Sequence, residues 1–600
     1  MSSAGASTSP ASPTRRPRTR TRRRAARRRA APAASPLPPR SANDNARELA
    51  EIQARALVAT PQGRRALTRL GGGRGLTWLA YHYLGLATPD CHRDWYRRFD
   101  EEKRIVFLAP RSHGKTHVVA RVLALHRILT NRNVRILIVC KSAESARDSL
   151  AMIKHDLEEN PRIKVDWEVP EEGGTLRSKG RWGKSSICVR RSKNLRDGTV
   201  KAVGVGSSIT GGRYDLIILD DIDDETTVAN ARRRRKTKHW LKGTVLPMLD
   251  DGGSVVAIGT RKHSDDTYQD LLDDPTFATI QTEAILEWPD LTKVTWDVTV
   301  DASGKEVVRG AHVPADAGGK TLWPEKWPIE KMLLVWRSIG SFLFAREYQN
   351  QVTDDSAAAF RADWLKAAKT RGATRGFLRE GWDLDADRPH PLTEEFAVLW
   401  QTWDFALVDD AEKAEEQDSD YTVGMTWGLR WKTQERVLLR MVRRRGLTPG
   451  QITALILEEA ARFPQRAAIV VENNAFGKLY EIGLRRTKDL PIVGHTTDKK
   501  KHNLYEGVPG MSSLYEFGKV VLPYGRASDL RADEEDARAL VDELVKELHG
   551  LGTEPHDDTV MCHWISEVWV RRWILLTEKK LAAKKSTSRV ITLNAPSAPP

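Results

Sequence analysis

The run IVFLAPRSHGKT, from Ile105 to Thr116, comes within one residue of a phosphate-binding loop. The usual pattern is G-x-x-x-x-G-K-[ST], and Ala109 stands where its first glycine belongs. In such a loop the backbone N–H groups of Arg111, Ser112, His113 and Gly114 would wrap phosphate oxygens. Lys115 would reach the β and γ oxygens, and the Thr116 hydroxyl would help to hold Mg²⁺. An apolar strand precedes the loop and a helical pattern follows it, which is the context the motif requires. Alanine at position 109 is tolerable if that residue needs no positive φ, the main reason for glycine there.

Two further strand ends belong to the same chemistry. YDLIILDD sets Asp220 at the C-terminal end of an apolar strand, where a parallel α/β sheet places its ligands. A carboxylate there can bind Mg²⁺, and the next acid, Asp221, can orient an attacking water. One Asp after a strand is commonly a turn or a helix cap. Five acids within DDIDDE (220–225) repel one another unless a cation or solvent compensates. GSVVAIGTRKHSDD ends a third strand with Thr260 and Arg261, where a polar side chain could sense a γ-phosphate. Together these signals point to a nucleotide hydrolase.

A second set of acids lies far downstream. Asp404 is set in TWDFAL, Glu472 in VVENNAFG, and Asp557 and Asp558 in HDDTVMCHW. Charges in apolar strands are costly to bury unless paired or bound to metal. Acids from three separate segments can converge on two Mg²⁺ or Mn²⁺ ions about 3.5–4 Å apart, the clamp used in phosphodiester cleavage. Asp420, in DSDYTVG, is a possible further contributor. For any one of these acids a cap or salt bridge is the commoner role, so the argument rests on their convergence. The basic runs 499–502 (KKKH), 443–445 (RRR) and 232–235 (RRRR) supply positive charge for a phosphate backbone, though any one run could be a solvated face.

The elements that must position these residues follow from periodicity. Residues 46–100 read as helical, interrupted by GGGRG (71–75). RIVFLAP, VRILIVC, TVKAVGVG, YDLIILDD and GSVVAIGT then read as strands, and helical patterns follow the first two. Near-continuous apolar strands separated by helices predict an α/β fold with a parallel sheet covered on both faces. Residues 361–395 are polar and irregular and read as a linker. Beyond them FAVLWQTWDFALV, YTVGMTWGLRW and RVLLRMVRRR read as three strands, followed by a helix, the strand AAIVVENN and a late helix. That order is RNase H-like.

Composition bounds the rest. Six hundred residues exceed one core. Hydrophobic residues make up 40% and charged residues 29%, and no apolar run approaches the roughly 18–20 residues that cross a bilayer. Four separated cysteines give no C-x-x-C pair, which argues against a disulfide framework and fits a reducing cytoplasm. The net charge is +16, but residues 1–40 hold eleven arginines and no acid, leaving +5 for the remaining 560 residues. This Arg- and Pro-rich arm cannot bury a core and either grips phosphates or stays a passive solvated tail.

With both acidic sites in view, the chain resembles the large terminase subunit of tailed bacteriophages over about residues 75–570. LAPRSHGKT, YDLIILDD and VVAIGTRKHSDD carry the first half of the resemblance, and SFLFAREYQNQVTDDSAAAF (341–360) the junction. TWDFA, DSDYTVG, VVENNAFGK, TTDKKKH, FGKVVLP and HDDTV carry the second. The resemblance implies a P-loop (RecA/ASCE-like) ATPase domain with a parallel sheet, followed by an RNase H-like nuclease domain. The expected boundaries are a tail at 1–45, an ATPase domain at 46–360, a linker at 361–395, a nuclease at 396–575 and a tail at 576–600.

On that carry-over ATP hydrolysis drives double-stranded DNA into a procapsid, and a Mg²⁺-dependent endonuclease cuts concatemers. Arg111 would stabilise charge on the γ-phosphate. Many members carry Asp-Glu at the strand end where this chain has Asp220-Asp221, so the base could be Asp221, Asp223, Asp224 or Glu225, with Asp221 preferred. The implied partners are DNA, a small terminase subunit, the portal protein and further copies in a ring, in the host cytoplasm and without a membrane. Two other readings remain. A helicase or translocase would need motifs on a second RecA-like domain, and none precedes Asp404. A transposase- or resolvase-like nuclease could use the ATPase as a switch.

Overall fold

The computed structural model describes residues 55–590, except 169–174, 210, 229, 353–358, 380–381, 384–387, 390, 407–420, 473–489, 497–505, 526–536 and 552–553. Ala59–Pro600 forms one compact unit. Met1–Val58 forms another, whose described residues, 55–58, are helical. Among the described residues no helix is long and apolar enough to cross a membrane.

The first half of the larger unit is built on eight strands: β1 (Arg104–Leu108), β2 (Ile136–Cys140), β3 (Arg177–Trp182), β4 (Ser186–Val189), β5 (Val200–Gly204), β6 (Tyr214–Asp220), β7 (Leu249–Gly259) and β8 (Ala278–Gln281). Their spatial order is β3-β4-β5-β2-β6-β7-β1-β8. All pairings from β5 to β8 are parallel, and at the other edge β4 runs antiparallel to both β3 and β5. Alternate residues of each central strand feed opposite faces. Ile105, Phe107, Ile136 and Ile138 join one buried cluster, while Val106, Leu108, Leu137 and Val139 join the other. Both faces are therefore covered, as the continuous apolar runs require.

A hairpin, Thr295–Val300 with Glu306–His312, leaves this half and meets the second. There the Trp431 indole N–H donates to the Ser303 carbonyl at 2.7 Å, and Lys305 pairs with Glu578. The helix Ile329–Gln349 also bridges the halves and is broken at Gly340, where φ is 81°. Past the break, the Ser341 backbone N–H donates to the Glu516 carboxylate at 2.7 Å, so a residue of the second half caps the continuing helix.

The second half holds a six-stranded sheet in the order Ile492–His495, Ala468–Glu472, Val398–Asp404, Thr422–Arg430, Glu435–Arg444, Val520–Val521. Three strands form an antiparallel meander, and Ala468–Glu472 returns parallel to the first of them, which is the RNase H-like arrangement. Two expectations need correction here. Residues 361–395 are not a simple linker: the helix Ala362–Arg371 and Phe377 place Leu365, Ala368 and Phe377 in the core of the second sheet. The late helix runs Asp558–Val590, continuing past the expected domain boundary at 575, and Ile574 belongs to that core. Within 361–395 a few apolar residues in a polar stretch find a partner face that periodicity alone does not reveal.

Candidate functional site

The phosphate loop leaves β1 at Leu108. Ala109 is fully buried and its N–H donates to the Gly259 carbonyl at 3.2 Å, continuing the sheet for one more residue. Positive φ falls instead on Ser112 (63°) and Gly114 (87°). The missing glycine is therefore no obstacle to the loop. Lys115 Nζ lies 3.2 Å from Asp221 Oδ1, and the Thr116 hydroxyl donates to Asp220 Oδ1 at 3.4 Å. Asp220 is the last residue of β6, flanked in register by Cys140 and Ile258. Burial, with the neighbouring Asp221 charge adding to it, pushes its carboxyl up to about 7. A divalent cation held by Thr116 and Asp220 would supply the charge this buried carboxyl needs, so the residues fit Mg²⁺.

Backbone strain gathers at the same place. Among the described residues four non-glycines have positive φ, and three of them are Ser112, Asp221 (47°) and Asn350 (51°). Asn350 reaches this region through its side-chain oxygen, which accepts from the Arg261 backbone N–H at 3.4 Å. Strained positions of this kind persist only where the surroundings hold them.

The contacts sort the acids of 220–225. Asp223 accepts from the Thr267 N–H at 2.6 Å and the Thr267 hydroxyl at 2.9 Å, so it anchors a helix start. Asp224 accepts from the Thr227 N–H at 2.7 Å. Glu225 pairs with Lys262 at 3.4 Å and with Arg346. Asp221 and Glu225 thus both form ion pairs with cations of the site. Thr260 is buried at the end of β7. Arg261, expected at the phosphate edge, is directed elsewhere: its Nε meets Asp266 at 3.1 Å and its Nη2 meets the Gln269 side chain at 2.8 Å.

Sequence reasoning missed several residues around this loop. Lys262 and Glu347 form an ion pair, and the Arg111 N–H donates to the Glu347 carbonyl at 2.9 Å. His92 Nε2 lies 2.8 Å from the His113 carbonyl, while the His113 ring stacks on Trp327 with centroids 6.0 Å apart. Burial lowers the His113 imidazole to about 4, so it packs as a neutral ring. Lys326 donates to the Ser112 carbonyl at 2.8 Å. These partners lie far along the chain from the loop, and no short motif announces them.

The second site forms at the edge of the other sheet. Trp403 stands in register with Val471, so the next residues, Asp404 and Glu472, leave adjacent parallel strands side by side. The Asp404 carboxyl is held well above the usual carboxylate range, by burial first, then by a hydrogen bond with Glu472 and the charges of Glu472, Asp558 and Asp557. Asp558 is buried, and its Oδ2 accepts from the Tyr421 N–H at 3.0 Å. Asp557 is exposed. Among the described residues no three His, Cys, Asp or Glu side chains stand as a ready metal cage. The site is a hydrogen-bonded carboxyl pair with two further acids close enough to act on it. A divalent cation replacing the proton of that pair would relieve the repulsion, and the all-oxygen donor set suits Mg²⁺ or Mn²⁺.

A cationic flank adjoins Asp558. The Arg443 guanidinium lies 3.4 Å from the centre of the Tyr421 ring and Arg445 lies 4.2 Å from it. His556 Nδ1 is 3.9 Å from Asp558 Oδ2. Arg443 also pairs with Glu547 at 3.2 Å, so this part of the basic run is anchored and not merely solvated. In the run 232–235, Arg232, Arg233 and Arg235 are exposed on the helix Ala231–Trp240. Asp420 and residues 499–502 lie outside the described residues.

The two sites define a chain with a P-loop nucleotide site on a parallel sheet and a carboxylate site on an RNase H-like sheet. Residues 106–367 match the family model described as the terminase large subunit, T4likevirus-type, N-terminal. The stretch that carries the first site is thus similar to the N-terminal part of the terminase large subunit, and the second half is described by its own geometry.

Among solved structures, a large terminase from a thermophilic bacteriophage is 10% identical, with 72% of this chain and 87% of that one covered and a TM-score of 0.34. The HK97 bacteriophage large terminase is 12% identical, with 76% and 90% covered and a TM-score of 0.31. The large terminase nuclease from thermophilic phage G20c, with bound zinc, is 14% identical, with 35% and 96% covered and a TM-score of 0.23. These likenesses are too slight to add to the argument. No curated protein matches the chain.

Proposed function

We propose that the first site hydrolyses ATP with Mg²⁺ and that the second is a metal-dependent endodeoxyribonuclease acting on the DNA being packaged. In the first site Lys115 and the N–H groups of Ser112 and Gly114 would hold the phosphates, the Arg111 N–H being given to Glu347, and Thr116 and Asp220 would hold the metal. Arg111 meets charge developing on the γ-phosphate. Asp221, beside Lys115, orients the attacking water. Thr260, at the end of the neighbouring strand, is the residue positioned to sense loss of the γ-phosphate.

In the second site Asp404, Glu472 and Asp558 would hold Mg²⁺ or Mn²⁺, which activates water and stabilises the leaving oxygen. The adjoining Arg443 and Arg445 favour a phosphate backbone over a neutral substrate. Double-stranded DNA, a small terminase subunit, a portal and other copies of the chain in a ring are the proposed partners, in the host cytoplasm.

The observation that carries this reading is the pairing, on one chain, of Lys115–Asp221 at one sheet edge with Asp404–Glu472 at another. The test is ATP hydrolysis by the full chain with and without procapsids that carry a portal. Stimulation by procapsids supports the motor. Stimulation by DNA alone, with no response to procapsids, favours a translocase without a capsid role.

A further inference from the structure

Four charged side chains close a ring beside the phosphate loop, Arg111 of the loop joins it at Glu347, and Glu347 is the hub. The Glu347 side chain is 3% exposed, so its charge must be met by partners. Its Oε1 takes the Lys262 ammonium, and its Oε2 lies 3.5 Å from Arg111 Nη1. Its backbone carbonyl accepts the Arg111 N–H at 2.9 Å. Lys262 continues to Glu225 at 3.4 Å, Glu225 to Arg346, and the Arg346 Nε returns to Glu347 at 3.8 Å. Three cations share two carboxylates, leaving one positive charge in excess beside a loop that wraps a polyanion.

The members come from four pieces of the site, with Arg346 and Glu347 adjacent on one helix. Arg111 belongs to the phosphate loop, Lys262 to the turn after β7, and Glu225 to the acidic run after β6. Glu347 belongs to the bridging helix Ile329–Gln349. That helix is held at its break by Glu516 of the second half and at its end by Gln349, whose side chain exchanges hydrogen bonds with the Ile285 backbone. Glu347 is therefore held from both ends of its helix, while the Arg111 side chain remains 57% exposed.

We propose that Glu347 is a positioning residue for ATP hydrolysis: it orients Arg111 and Lys262 together, so that both cations stand ready for the charge that develops on the γ-phosphate. The inference rests on the nucleotide-site reading above. Glu347 itself touches no substrate; it acts through the two cations. Losing its charge leaves Arg111 without its buried partner and uncouples the loop from the turn after β7. ATP binding, which depends on the loop N–H groups and Lys115, is expected to survive that loss.

The test compares Glu347→Gln, Glu347→Asp and Arg111→Gln in the full chain by steady-state ATP hydrolysis, with thermal unfolding measured alongside. For Glu347→Gln, kcat should fall about tenfold or more while KM for ATP stays within about threefold, because orientation and not binding is lost. Glu347→Asp keeps the charge and should recover part of kcat. The double variant with Arg111→Gln should be little slower than Arg111→Gln alone, because both changes act through one guanidinium.

A folded Glu347→Gln protein with wild-type kcat overturns the inference, as does a fall in stability with kcat and KM unchanged. If Glu347→Gln does not fold, Glu347→Asp decides alone: reduced kcat at unchanged KM supports the role, and wild-type kcat overturns it. Lys115→Ala separates the two levels. If that variant still hydrolyses ATP, the nucleotide-site reading itself fails; if it is inactive while Glu347→Gln is normal, only the positioning role fails.

Discussion

Lys115 and Asp221 form an ion pair across the nucleotide site, with Nζ 3.2 Å from Oδ1. The β and γ oxygens of a nucleotide compete for that same ammonium. On the proposed reading, phosphates that hold Lys115 would release Asp221 to act on the attacking water. Asp221 has a positive φ of 47°, one residue past the end of β6.

Lys115→Ala should therefore abolish ATP hydrolysis, with a loss of about a hundredfold or more, through removal of a charge that transition-state oxygens need. DNA cleavage by the same full-length variant should persist in Mg²⁺, because its acids belong to the other sheet. Parallel assays of phosphate release and plasmid nicking check this, and cleavage lost together with hydrolysis would contradict two separable sites.

At the second site, Asp404→Asn or Glu472→Gln should eliminate cleavage and leave ATP hydrolysis near normal. Each change removes an oxygen ligand and breaks the hydrogen-bonded pair. Asp558→Asn should behave likewise, while Asp557→Asn should retain much activity, since Asp558 is buried and bonded to Tyr421 and Asp557 is exposed. Mg²⁺ or Mn²⁺ should support cleavage and Ca²⁺ should not, because its looser coordination misplaces the attacking water. Cleavage persisting in EDTA would remove the metal from the account.

Asp220 gives a pH-dependent prediction. Its buried carboxyl keeps its proton up to about 7, above the value of roughly 3.9 expected in the unfolded chain. Between those values the folded protein holds a proton that the unfolded chain has lost, so stability falls as pH rises through that window. Asp220→Asn cannot titrate and should gain on the wild type across it, by roughly 4 kcal/mol at most. Unfolding of both proteins in Mg²⁺-free buffer from pH 4 to 8 measures the difference. A gap that does not change with pH would contradict the buried, proton-holding Asp220.

The break in the bridging helix is equally specific. Gly340 has φ of 81°, and an added Cβ would stand 2.8 Å from Ser513 Cβ. Gly340→Ala should cost on the order of 2 kcal/mol or more by combining backbone strain with a clash between the two halves. Denaturant unfolding checks this, and an unchanged midpoint would show that the helix can straighten without loss.

Both sheets and both sets of acids were legible because the chemistry sits on apolar strands. YDLIILDD and TWDFAL each carry an acid at the end of a run that must be buried, and the strand period fixes which edge it leaves. Ala109 was legible as a question and not as an answer: only the observed backbone shows that positive φ falls on Ser112 and Gly114. Glu347, Lys262 and His92 were not legible, because isolated charged or aromatic residues carry no periodic signal and their partners lie far away in the chain. The apolar residues of 361–395 were masked by polar neighbours in the same way, until Leu365 and Ala368 found the second sheet. Arg261 shows the opposite failure, a residue in the expected place whose side chain is bound by Asp266.

The central claim is that the nucleotide site drives DNA into a container. The measurement that tests it most directly is protection of linear double-stranded DNA from DNase after incubation with the full chain, ATP, Mg²⁺ and portal-bearing procapsids of the same phage. The account predicts protected DNA with the wild type, none with Lys115→Ala or without ATP, and retained protection with Asp404→Asn on DNA that already has free ends. Contradiction would be ATP hydrolysis and DNA cleavage both intact, procapsids bound, and no DNA protected.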